Sequence, residues 1–199
     1  MPTCGRLIHD NAVCHIIQRG NNRQKICVDE EDFGKFLSLI DTYKAKFAFE
    51  LYHYCLMANH LHLLLKIIMK DDLAKLMQGI FQSYRFYFKR KYRYSGYLYQ
   101  GRYKSKLIKT DNYLLDCARY IERNPLRARI INDLSQYRWT SYPVYALGHE
   151  SGIITENPLF STLSNDGIKR RQMYRDYVIP ARPYEEILDR EFGIAHFYE

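Results

Sequence analysis

The spacing of apolar and polar residues changes several times along this chain, and each change marks an element. From Ala12 to Gln18 (Ala-Val-Cys-His-Ile-Ile-Gln) the run is almost continuously apolar, which predicts a first strand; Arg19-Gly20-Asn21-Asn22 predicts the turn that ends it. Asp29-Glu30-Glu31-Asp32 then precedes Phe33, Phe36, Leu37, Ile40 and Tyr43 at helical spacing. Acid at a helix start is favoured by the macrodipole, so a helix over 29–47 is expected. Phe49 to Met57 predicts a second strand and His60 to Ile67 a third, joined as an antiparallel hairpin by the short Ala58-Asn59 link. Asp71-Asp72 opens a second helix that Leu73, Leu76, Met77, Ile80, Tyr84 and Tyr87 carry to residue 93, where Ser95-Gly96 breaks it. Tyr97 to Ile108 predicts a fourth strand. Thr110 or Asp111 caps a third helix through Leu114, Leu115, Ala118 and Ile121 to residue 123.

The order β-α-β-β-α-β followed by a helix predicts an α+β fold, a ferredoxin-like antiparallel sheet with helices on one face. Beyond Trp139-Thr140-Ser141-Tyr142 the pattern weakens. Gly148 to Asn157 reads as a linker, Ile168 to Val178 as a basic helix, and the tail with Pro180 and Pro183 offers few core positions. The expected organisation is a main domain over 1–148 and an accessory segment over 149–199.

Charge sharpens this picture. Thirty Lys and Arg against twenty-two Asp and Glu give a formal charge of +8 and a pI of about 9.2, a balance that suits a polyanionic partner. The excess is concentrated. Arg85, Lys89, Arg90, Lys91, Arg93, Arg102, Lys104, Lys106 and Lys109 follow one another with no acidic residue between them, interleaved with Tyr87, Tyr92, Tyr94, Tyr97, Tyr99 and Tyr103. Cations attract phosphates while rings stack on unpaired bases, which is the composition of a single-strand groove; the plain reading is a solvated helix end. Arg119, Arg123, Arg127 and Arg129 add positive charge further on. Arg19, Asn21 and Asn22 either read bases from the first turn or form an ordinary loop. No run of 18 apolar residues suggests a membrane span. The start Met1-Pro2-Thr3-Cys4-Gly5-Arg6 lacks the apolar core of a secretion signal, so a cytoplasmic location is expected. Five cysteines (Cys4, Cys14, Cys27, Cys55, Cys117) without a CxxC pair are expected as buried reduced thiols rather than disulfides or a zinc site.

Two short segments carry the candidate chemistry. In Asn59-His60-Leu61-His62, strand alternation puts both imidazoles on one face, about 6–7 Å apart, where they can grip one cation. In Tyr120-Ile121-Glu122-Arg123-Asn124, the tyrosine and asparagine stand four apart and can share a helix face. An amide oxygen from Asn124 beside two imidazoles suits Mg²⁺ or Mn²⁺; the alternative for Asn124 is a helix end imposed by Pro125. Tyr120 is either a buried helix aromatic or a nucleophile. As a nucleophile its phenol, with an ordinary pKa near 10, needs a neighbouring cation.

Several blocks of the chain resemble one family. They are His15-Ile16-Ile17-Gln18-Arg19-Gly20-Asn21-Asn22-Arg23-Gln24, Tyr54-Cys55-Leu56-Met57-Ala58-Asn59-His60-Leu61-His62-Leu63-Leu64-Leu65, Gln100-Gly101-Arg102-Tyr103-Lys104, Ala118-Arg119-Tyr120-Ile121-Glu122-Arg123-Asn124-Pro125-Leu126-Arg127-Ala128 and Trp139-Thr140-Ser141-Tyr142. Together they resemble the single-tyrosine HUH transposases of the insertion-sequence kind, and more narrowly the REP-associated tyrosine transposases of bacteria. The likeness spans residues 12–145; the family more often has Pro where Ala58 stands.

The resemblance implies the HUH fold, with His60, His62 and Asn124 as ligands of Mg²⁺ or Mn²⁺ and Tyr120 as the nucleophile. It further implies nicking and rejoining of single-stranded DNA at short palindromic hairpin repeats, through a 5′-phosphotyrosine with a free 3′-hydroxyl. DNA contacts are expected from Arg19, Asn21, Asn22, Arg85, Lys89, Arg90, Arg93, Arg102, Tyr103 and Lys104, in a monomer or a homodimer. A domesticated, non-catalytic DNA-binding protein on the same scaffold is the alternative. A relaxase or replication initiator with the same chemistry is disfavoured, since those commonly carry further domains.

Overall fold

The computed structural model describes residues 8–182 and 184–192. Four antiparallel strands, β1 (Ala12–Arg19), β2 (Phe49–Leu56), β3 (His60–Ile67) and β4 (Lys104–Ile108), form one sheet in the order β2-β3-β1-β4. Two helices follow β1 and β3: α1 (Glu30–Lys44) and α2 (Asp72–Tyr92). This is the ferredoxin-like arrangement that the sequence predicts, with β2 and β3 paired as the expected hairpin.

Period-2 alternation assigns the faces. Ala12, Cys14 and Ile16 of β1 join Leu61, Leu63, Leu65 and Ile67 of β3 in one core, covered by Phe36 and Ile40 of α1 and Leu76, Met77, Ile80 and Tyr84 of α2. The opposite face carries Ile17 and Leu64, and is closed by α3 (Asp111–Arg127) through Leu114, Cys117, Ala118 and Ile121. Thr110 supplies the cap of α3, its hydroxyl accepting from Tyr113 N, so of the two expected caps the structure uses threonine. Asp29 caps α1 in a reciprocal pairing with Asp32.

Three sequence expectations are corrected. The fourth strand is shorter than 97–108. Pairing with β1 runs only from Val13↔Ile108 to Ile17↔Lys104, and residues 97–103 form a loop in which Tyr99 bridges to Gly20. The third helix does not end before Pro125 but continues to Arg127, for a reason given below. The stretch 148–157 is not a free linker: Thr155 N donates to Leu51 O at the sheet edge, and Asn157 is buried.

After α3 come the π-helical turn Pro143–Leu147, α4 (Pro158–Ser161), α5 (Gly167–Val178) and α6 (Tyr184–Phe192). Tyr142, Tyr145, Phe160, Tyr174 and Val178 make a third core there. Residues 117–125 of α3 are buried without a break. A helix buried on all sides is held between two layers, here the sheet and the C-terminal helices. Cys14, Cys27, Cys55 and Cys117 are buried free thiols, as expected; Cys4 lies outside the described residues. No helix among the described residues is long and apolar enough to cross a membrane.

Candidate active site

The α3 face of the sheet carries a polar cluster at its centre. His60 and His62 project from β3 on that face, as the strand period requires, with ring centroids 5.2 Å apart. Register pairs His62 with Ile17 and His60 with Arg19 on β1. Tyr120 of α3 lies edge-on to His62 at 5.6 Å and to His15 at 6.0 Å. The structure therefore brings His60, His62 and Tyr120 together, and adds His15, to which sequence reasoning gave no role. His15 stands on the same β1 face as Ile17, and antiparallel pairing makes it a diagonal neighbour of His62. That spacing was the signal available for it.

Each strand histidine has its Nδ1 engaged. His60 Nδ1 lies 2.7 Å from Asn59 Oδ1, an oxygen that can only accept, so the ring proton sits on Nδ1. His62 Nδ1 lies 2.9 Å from His15 Nε2. With His62 as the donor, its Nε2 lone pair is the free one, and that buried atom has no hydrogen-bond partner among the described residues. Such neighbours fix tautomer and ring direction, as metal-binding histidines require. Burial pushes His60 down to about 4, against opposing effects from the Asn124 side chain and the Asp189 carboxylate. Burial and then Lys106 push His15 to about 3. Burial, with His15, His60 and Arg127 adding to it, holds His62 well below the ordinary imidazole value. All three rings are thus neutral at pH 7, the form that can ligate.

These shifts set a pH dependence. The unfolded chain protonates its histidines near 6.5, whereas His60 in the fold resists until about 4. Between those values the unfolded state binds more protons, so stability is full above pH 6.5 and is lost as pH falls through the window. His60 alone contributes on the order of 3 kcal/mol. Urea unfolding of metal-free protein at pH 7 and pH 4.5 should show this loss, and His60→Asn should shrink it. Equal losses in both proteins would remove His60 as its source.

Asn124 sits one turn beyond Tyr120, fully buried. Pro125 has no N–H, so the Ile121 carbonyl loses its helical donor. Asn124 Nδ2 takes that place, donating to Ile121 O at 3.1 Å and to Tyr120 O at 2.8 Å. This repair carries the helix through the proline and turns the amide oxygen away from the backbone, on the side of the His60 ring. Asn124→Ala should cost about 1–3 kcal/mol. In a Pro125→Ala background, where the N–H returns, the same change should cost about 1 kcal/mol less. Thermal unfolding of the four proteins tests the repair, which fails if the two costs are equal.

Among the described residues no group of three or more His, Cys, Asp or Glu side chains is arranged to hold a metal ion. What is present is a partial donor set, two imidazole Nε2 atoms and one amide oxygen. It fits a divalent cation that completes its shell with water and phosphate oxygens, as Mg²⁺ commonly does.

The Tyr120 hydroxyl is occupied. It donates to Asp189 Oδ1 of α6 at 2.9 Å, and Arg127 both pairs with Asp189 and lies 5.1 Å from the Tyr120 ring centre. Three of the four arginines around Tyr120 are neutralised by α6. Arg119 Nη1 lies 2.7 Å and Arg123 Nε 2.8 Å from Glu185 Oε1, and Arg127 reaches both Glu185 and Asp189. Sequence reasoning missed Asp189 and Glu185 because nothing local ties α6 to α3 across more than 60 residues.

The residues expected at DNA divide into groups. Arg85, Arg102 and Tyr103 line one cavity, and Arg19, Arg102 and Lys104 line a smaller one beside it. Asn21 and Asn22 form a short 3₁₀ turn after β1. Lys89 and Arg90 lie in the last turn of α2, and Arg93 ends that helix in a left-handed conformation, away from both cavities. The basic run is also less free than its sequence suggests. Lys91 is bound by Asp29, Glu31 and Asp32 from α1, and Tyr87 and Tyr92 donate to Asp32. Those groups fasten α1 to α2.

A family model described as "Transposase IS200 like" matches residues 9–124. Among solved structures, a REP-associated tyrosine transposase bound to a REP hairpin shares the fold with a TM-score of 0.64, at 14% identity over 79% of this chain and 96% of that one. A transposase-like protein of Deinococcus radiodurans gives 0.41 at 20% identity, over 61% of this chain and 96% of that one. The tRNA(His) guanylyltransferase of Saccharomyces cerevisiae gives 0.44 at 12% identity, over 100% of this chain and 85% of that one. No curated protein matches the sequence.

Proposed function

Because the chain belongs to the family of IS200-like transposases, we propose that it nicks and transfers single-stranded DNA at REP-type hairpins, with Tyr120 as the nucleophile. The observation that carries this reading is the packing of Tyr120 against His62, one turn from Asn124, within a single chain. In this reading one copy supplies Tyr120 together with His60, His62 and Asn124.

In this reading the Tyr120 oxygen attacks a backbone phosphorus. The P–O3′ bond breaks as the 5′-phosphotyrosine bond forms, and the proton given up by the phenol is balanced by the one the displaced oxygen takes up to leave as a 3′-hydroxyl. Rejoining reverses the exchange and needs no ATP. Bound by His60, His62 and Asn124, Mg²⁺ or Mn²⁺ would offset phosphate charge. Asn59 and His15 hold the two rings in place, and Arg127 lies 5.1 Å from the Tyr120 ring centre. Since α6 covers the phenol, a phosphate reaches Tyr120 only once Asp189 has moved aside.

The test is a denaturing gel of labelled hairpin DNA from the repeats flanking the gene, incubated with Mn²⁺ or Mg²⁺. A metal-dependent protein–DNA adduct is the expected result. Tight binding with no adduct in either metal would sink the proposal in favour of a non-catalytic DNA-binding protein, the reading that the covered Tyr120 favours.

A further inference from the structure

An opening with an aromatic wall lies on the other side of the sheet from Tyr120. It is a cavity of about 370 Å³ between α2 and the loop before β4. Its origin is a local mismatch. Ile17 pairs with Lys104, and Arg19 O accepts from Gln100 N, so Gly101, Arg102 and Tyr103 all stand opposite the single residue Gln18. The excess chain bulges outward. Gly101 takes a φ of +136°, open to glycine, and Gln18 Nε2 holds the bulge by donating to Gly101 O at 3.1 Å.

The lining has two parts. Phe81, Tyr99 and Tyr103 form the apolar wall; Tyr99 is edge-on to Phe81 at 5.4 Å, and Tyr103 tilts against it at 6.0 Å. Facing solvent around them stand Gln78, Gln82 and Arg85 from α2 and Arg102 from the bulge. None of these four side chains makes a hydrogen bond or salt bridge among the described residues. An aromatic wall, two free amides and two unpaired guanidinium groups match the parts of one unpaired nucleotide. Rings take the face of a base, amides offer both donor and acceptor to its edge, and arginines take the flanking phosphates. The volume is at the lower end for ligand cavities, about 300–1,000 Å³, too small for a duplex.

Position supports the same ligand. The second cavity, lined by Ile17, Arg19 and Lys104, shares Gln18, Gly101 and Arg102 with the first. Ile17 and Arg19 are the register partners of His62 and His60. A strand leaving the histidine cluster thus meets Arg19 and Lys104, then the Gly101–Arg102 ridge, then the aromatic wall. Burial and then Arg19 lower the Lys104 ammonium, which an anion there would relieve.

We propose that the cavity between α2 and the 101–103 bulge binds one unstacked nucleobase of single-stranded DNA, with Gln78 and Gln82 reading its edge and Arg85 and Arg102 holding its phosphates. The inference rests on the preceding reading only for DNA being the ligand. It is tested by fluorescence anisotropy with two labelled probes of about 20 nucleotides, one a mixed-sequence single strand and one abasic throughout. Wild type should bind the base-bearing strand at least tenfold tighter. Gln78→Ala/Gln82→Ala, two exposed changes on a helix, should lose about tenfold on that strand, the worth of one or two hydrogen bonds, and leave abasic binding alone. Equal losses on both probes, or no loss on either, would overturn the proposal. The adduct assay separates the two readings. An adduct without base-selective loss sinks this inference alone, whereas base-selective loss without an adduct sinks only the nucleophile.

Discussion

Tyr120→Phe is expected to remove the covalent protein–DNA adduct, by ~10³-fold or more, the scale on which a lost nucleophile acts. Phenylalanine keeps the ring that packs against His62 and His15. It deletes only the oxygen and its hydrogen bond to Asp189, and that carboxylate keeps Arg127 as a partner. The stability cost is therefore about 1 kcal/mol, and binding to hairpin DNA should be unchanged. The gel and a binding isotherm on the same preparation decide the matter. An adduct that survives in Tyr120→Phe would move the nucleophile elsewhere.

Glu122→Ala should have the largest effect on folding, about 3–5 kcal/mol, as expected when one partner is removed from a buried charged network. Oε1 of Glu122 accepts from Ser141 Oγ at 2.6 Å and faces His53 Nδ1 at 2.9 Å, while Oε2 accepts from Tyr174 at 2.7 Å. Asn157 fixes the histidine: its Oδ1 accepts from Leu159 N, so Nδ2 points at His53 Nε2 and donates, at 3.1 Å. His53 therefore donates from Nδ1. Alanine leaves the buried Tyr174 hydroxyl without its acceptor and leaves Ser141 Oγ and His53 Nδ1 only longer contacts, to Tyr54 O at 3.3 Å and to each other at 3.4 Å, in a protein whose total stability is expected near 5–15 kcal/mol. Serine and histidine here share one glutamate oxygen and all three residues are fully buried, so the group joins β2, α3 and α5 rather than forming a hydrolytic triad. Urea unfolding should show a midpoint far below wild type, with Glu122→Gln between the two. A change under about 1 kcal/mol would refute that role.

What could be read in the sequence was local. The strand bearing His60 and His62 runs from His60 to Ile67 as predicted, because an apolar run bounded by a two-residue link has one way to fold. The i, i+4 relation of Tyr120 and Asn124 also holds. What escaped was non-local or a matter of compensation. Tyr97 to Tyr103 has the composition of a strand, yet it bulges because β1 ends its regular pairing at Ile17. Pro125 reads as a helix stop, and only the neighbouring amide makes it passable. Lys91 reads as a free cation, but its partners stand some 60 residues earlier. The C-terminal residues read as a thin tail because their apolar positions are few; Tyr174, Val178 and Leu188 are nonetheless buried on α3 and its surroundings.

The repair beside Pro125 also limits which residues position 124 can accept. Aspartate would be the stronger electrostatic partner for a hard cation. It has no donor, however, and would aim a carboxylate at the carbonyls of Ile121 and Tyr120, which now receive the asparagine N–H groups. The proline thus disfavours an acid at position 124. Placing an acid at position 124 has to begin by giving residue 125 its N–H back.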